Sequence, residues 1–83
     1  MFHFNIFKKH MKKYILFKND NYNKEKVGAF NTFDECLERA LDYVRDRCSF
    51  RDEVDAARKN LVRRGYYCIG YSDIELQIEE CDG

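Results

Sequence analysis

At Gly65 the hydrophobic period of this 83-residue chain changes from that of a helix to that of a strand, and that change decides what the chain can fold into. From Phe33 to Leu61 apolar residues recur every three or four positions; after Gly65 they recur every second. Phe33, Cys36, Leu37, Ala40, Leu41, Val44 and Cys48 share one face of a helix. Thr32 followed by Glu35 is a capping box that fixes the start of that helix. A second helix is predicted after Ser49, with Asp52 and Glu53 in its first turn and Phe50, Val54, Ala57 and Leu61 as its stripe. Arg63 and Arg64 in the last turn, followed by Gly65, are its stop signal. Beyond it, Ile74, Leu76 and Ile78 alternate with Glu75, Gln77 and Glu79, the pattern of a strand with one buried and one wet face.

Three further strands complete the reading. Tyr66–Ile69 precedes the alternating strand, with Gly70-Tyr71-Ser72-Asp73 as the turn of an antiparallel hairpin. Tyr14–Phe17 is a short apolar run ending at Asn19-Asp20-Asn21, and Val27–Phe30 leads into the capping box. The predicted fold class is therefore α+β: a small antiparallel sheet with two helices packed on one face, in the order β-β-α-α-β-β. A chain of this size holds one core. Residues 11–83 are expected to be that single domain. Met11-Lys12-Lys13 reads as an ordinary protein start, so residues 1–10 are expected to be an N-terminal tail or extension.

Tyr14–Phe17 and Tyr66–Ile69 do not alternate, so both faces of those strands are apolar. One face packs on the helices. The other is left for residues 1–10, for a second copy in a homodimer packed through the sheet, or for a different partner.

The formal net charge of zero conceals a split. Residues 1–31 carry seven Lys against Asp20 and Glu25, whereas residues 66–83 carry Asp73, Glu75, Glu79, Glu80 and Asp82 with no Lys or Arg. Partners feel such local fields rather than the sum. Glu75, Gln77, Glu79 and Glu80, joined by Tyr14 or Tyr66 if the strands are neighbours, form a candidate docking face for a basic protein surface. If the first and last strands pair, Lys and Glu neutralise each other across the sheet.

Catalytic and cofactor chemistry is not expected. His3 and His10 lie in the N-terminal segment, with no nucleophile or carboxylate at a recognisable spacing. Cys36, Cys48, Cys68 and Cys81 lack the close pairing of a zinc site. Cys36 and Cys48, on one helix, would lie about 18 Å apart, too far for a disulfide. Reduced thiols in a cytoplasmic protein are the expectation. Packing accounts for Cys36, Cys48 and Cys68, while Cys81 is the candidate reactive thiol. No segment has the length of a membrane span, and Phe2, Phe4, Ile6 and Phe7 belong to the tail rather than to a membrane anchor.

The expected function is that of a small non-enzymatic interaction protein occupying a partner protein's surface, that partner being a basic nucleic-acid-binding protein. Size and the lack of catalytic chemistry extend this to a phage or mobile-element inhibitor of a host defence nuclease, anti-CRISPR-like in its action. The alternative is a small nucleic-acid-binding regulator using Arg58, Lys59, Arg63 and Arg64 of the second helix. Against it stand the neutral total charge and the acidic hairpin.

Overall fold

The computed structural model describes residues 12–47, 51–69 and 73–82. Strands β1 (Lys12–Asn19) and β2 (Lys24–Phe30) form a hairpin, followed by helices α1 (Phe33–Arg47) and α2 (Arg51–Arg64) and by strands β3 (Tyr66–Cys68) and β4 (Glu75–Asp82). The four strands make one antiparallel sheet in the order β2-β1-β4-β3. The α+β class and the β-β-α-α-β-β order follow the sequence pattern. The expectations on residues 1–10, the histidines, Cys48, the Ser49 cap, Phe50 and the Gly70–Ser72 part of the turn lie outside the described residues.

Both helices start and stop where local chemistry requires. Thr32 Oγ1 accepts the Glu35 N–H at 3.1 Å, and the Thr32 carbonyl accepts the Cys36 N–H at 3.2 Å, so α1 is capped as read. The Thr32 hydroxyl donates to the Glu35 carboxylate at 3.2 Å, closing the pair from the other side. At the end of α2, Gly65 adopts φ 85° and its N–H reaches the Leu61 carbonyl at 3.1 Å, a left-handed C-cap. The Gly65 carbonyl then accepts the Ile78 N–H at 2.8 Å, which ties the helix end directly to β4. The period change thus coincides with the point where the chain passes from the helix layer to the sheet.

The core lies between the helices and one face of the sheet. Cys36, Leu37, Ala40, Leu41 and Val44 of α1 and Ala57 and Leu61 of α2 are buried against Leu16, Leu76 and Ile78. Ile69 is buried with them, and its N–H closes the β3–β4 hairpin on the Ile74 carbonyl at 2.9 Å. The strand predicted to include Ile69 therefore stops at Cys68. Between Leu16 and Phe17 the β1–β2 register shifts past Val27, a bulge that still lets Val27 pack against the core. Beside it, the Phe30 ring lies where a Cβ on Gly28 would stand at 3.1 Å.

The two caps are open to direct test. Gly65→Ala, which puts a Cβ on a left-handed residue, is expected to lower unfolding stability by about 1–2 kcal/mol. Thr32→Ala is expected to cost about 1 kcal/mol. Both are read from the urea midpoint at unchanged m, and unchanged midpoints would remove the caps as stability determinants.

Candidate functional site

The helix-covered face of the sheet is defined by Leu16, Leu76 and Ile78, so the intervening residues point to the other side, which no helix covers among the described residues. On β1 these are Ile15 and Phe17, both half-buried and neither part of the main core. On β4 they are Glu75, Gln77 and Glu79; the register places Ile15 opposite Glu79, Phe17 opposite Gln77 and Asn19 opposite Glu75. Tyr66 of β3 lies opposite Gln77 and is 41% exposed. An apolar centre with a polar border results.

The border is a continuous network. Asn19 Nδ2 donates to Glu75 Oε1 at 3.2 Å and to Gln77 Oε1 at 3.0 Å, and Gln77 Nε2 donates to Glu79 Oε2 at 3.0 Å. Lys24 Nζ then pairs with Glu79 Oε2 at 2.7 Å while standing 4.3 Å from the centre of the Phe17 ring. The carboxylates read from sequence as an acidic face are therefore interleaved with cations of the first hairpin. Lys12–Glu80, at 2.7 Å, does the same on the helix side of the sheet and holds the lysine above its ordinary pKa through a hydrogen bond and charge. The neutralisation conditional on pairing of the first and last strands is present.

Not every expected site residue shares this face. Glu75, Gln77, Glu79 and Tyr66 are brought together. Tyr14 lies opposite Glu80 in the same register as Leu16, so both belong to the helix side. There Tyr14 packs edge-on against Phe33, ring centroids 5.9 Å apart.

Of the basic set on α2, Arg58 reaches Glu38 of α1 at 3.4 Å. Lys59, Arg63 and Arg64 have no ion-pair or hydrogen-bond partner among the described residues.

Three features escaped the sequence reading. Asn19, read as part of a turn, is the donor that joins β1 to two β4 side chains. Tyr22 is 93% exposed at the apex of the β1–β2 turn. That turn is fixed by Asp20 Oδ1, which accepts the N–H groups of Tyr22 and Asn23 at 3.0 and 2.8 Å, and these bonds lower the Asp20 pKa. Cys68, expected to be packed, is exposed on the open face with its thiol 3.7 Å from Glu75.

The thiols differ in environment. Burial pushes Cys36 up to about 11. Burial, and then the Glu75 charge, raise Cys68. Cys81 is free and exposed.

The depression beside the first hairpin, about 420 Å³, is lined by Lys18, Asp20, Asn23, Lys24 and Glu25, of which Lys18 and Glu25 are paired at 3.1 Å. It lacks the apolar wall usual in small-molecule sites. Among the described residues no cluster of three or more His, Cys, Asp or Glu is placed to hold a metal ion, and no helix is long and apolar enough to cross a membrane. The chain matches no protein-family model, no curated protein and no solved structure.

Glu75→Gln is expected to move the pH–rate profile of Cys68 alkylation to lower pH, because a carboxylate beside a thiol disfavours the thiolate. The shift is partial, since the burial contribution persists. A profile that does not move would contradict the role of Glu75.

Proposed function

We propose that this protein is a non-enzymatic binding module that docks a partner protein on the face of its sheet opposite the helices. The observation that supports this reading is the pair Ile15 and Phe17, set by the central strand on the side away from the helices. Around them lie Tyr66 and the network of Asn19, Glu75, Gln77, Glu79 and Lys24. An apolar centre inside a hydrogen-bonding rim is the usual anatomy of a protein–protein contact, and aromatic residues supply much of its energy.

In its narrower form the proposal is an inhibitor acting by occupancy of a basic surface, such as the nucleic-acid groove of a nuclease. Glu75 and Glu79 would then exchange their present partners for cations of the target. Exposed pairs of this kind contribute little net stability, so the exchange is cheap.

Affinity capture from the cells that express the chain tests this reading. Ile15→Thr/Phe17→Thr keeps β-propensity while removing the apolar centre. It is expected to weaken a protein partner recovered by the native chain by about thirtyfold or more, the equivalent of ~2 kcal/mol. Glu75→Lys/Glu79→Lys is expected to reduce recovery of a basic partner. Glu80→Lys, on the other side of the sheet, is expected to leave it. Unchanged recovery by the Ile15/Phe17 variant would reject the sheet face as the docking surface. A dimer lost on the same substitution would instead make it a self-interface.

A further inference from the structure

The sheet face opposite the helices is crossed by a side chain of the chain itself. Lys24 of β2 stands opposite Asn19, whereas Glu79 of β4 stands opposite Ile15, four residues back along β1. An ion pair between them has to pass over the strand that separates their own. It does: Lys24 Nζ lies 2.7 Å from Glu79 Oε2 and 4.3 Å from the centre of the Phe17 ring. The ammonium therefore ends over the apolar centre of the face rather than beside it.

Position alone does not bring this about. Lys26 is directly opposite Phe17 in the register, yet it makes no ion pair or ring contact among the described residues. What Lys24 has and Lys26 lacks is an anchor. Glu79 is itself held, because Gln77 Nε2 donates to Glu79 Oε2 at 3.0 Å and Asn19 Nδ2 donates to Gln77 Oε1 at 3.0 Å. The held carboxylate fixes where the ammonium ends, and a cation over a ring face is attractive in its own right. Both partners remain solvated, with side chains 49% and 40% exposed, so the contact opens readily and is loosened by salt.

We infer that Lys24 is a latch on the docking face: anchored by Glu79, it lies over Phe17 and has to leave before a partner reaches that ring. The latch rests on the sheet-face reading above and adds a regulator to it. A partner that binds the open form has its apparent affinity lowered by the share of molecules in which Lys24 is in place. A basic surface opens the latch by taking over Glu79. A neutral apolar surface has to cover that carboxylate without its cation. The latch thereby favours the basic partner by disfavouring the apolar one.

The latch is read first in the isolated full chain. The ε-methylene protons of Lys24 are expected upfield of those of Lys26, shifted by the Phe17 ring, and are expected to return toward the Lys26 position in Glu79→Gln or at high salt. With a neutral paramagnetic probe, the Phe17 ring is expected to relax about twofold faster or more in Lys24→Ser and in Glu79→Gln than in the native chain. Unchanged protection of Leu16 reports that both variants are folded. Toward the protein partner recovered by the native chain, Lys24→Ser is expected to raise apparent affinity about three- to tenfold. Lys26→Ser removes the same charge from the same strand and is expected to give a clearly smaller gain. Equal accessibility of Phe17 in the native chain and both variants would overturn the latch. So would a partner bound no more tightly by Lys24→Ser, or an equal gain from Lys26→Ser. Each of these results leaves the docking face standing, because that reading is decided by the Ile15/Phe17 variant.

Discussion

The structure depends on the pairing of its first described strand with its last. β1 and β4 run antiparallel in unbroken register from Lys12 opposite Asp82 to Asn19 opposite Glu75. This contact closes nearly the whole chain into a loop, which is entropically the most demanding step of the fold. It is also the step that makes β1 central, with β2 on its other side. A central strand of a two-layer sheet must satisfy both of its faces. Leu16 does so in the core; Ile15 and Phe17 are left to the side that the helices do not cover.

The same pairing governs the electrostatics. A chain basic in its first third and acidic at its end would carry two opposed fields if the ends were apart. Because β1 lies between β2 and β4, Lys12 meets Glu80 and Lys24 meets Glu79, each at 2.7 Å. Glu79 and Glu80 of the acidic end are thus paired with lysines of the first hairpin within the sheet. At the end of α2, Lys59, Arg63 and Arg64 have no ion-pair partner among the described residues.

How much of this was legible in the sequence follows from where period and cap agree. The α1 stripe, the Thr32–Glu35 cap, the Gly65 stop and the alternation of β4 each carry two independent signals, and the elements fall where those signals place them. A strand apolar on both sides carries no alternation, so the side taken by Tyr14 was unreadable until the register was known. Glu80 adjoins Glu79 in sequence but points the other way, as the two-residue period of a strand demands. Asn19 carries the composition of a turn and acts as a cross-strand donor because β1 runs two residues further than its apolar run.

The central claim is that the open face presents Ile15 and Phe17 to partners rather than burying them within the chain. A neutral paramagnetic probe in solution measures this directly, through relaxation of side-chain protons in the isolated protein at dilutions where it is monomeric. The Ile15 methyls and the Phe17 ring are expected to relax much faster with added probe than the methyls of Leu16 and Leu76, which are fully buried. If Ile15 and Phe17 are as protected as Leu16, the face is already covered by the chain itself and is not a docking surface.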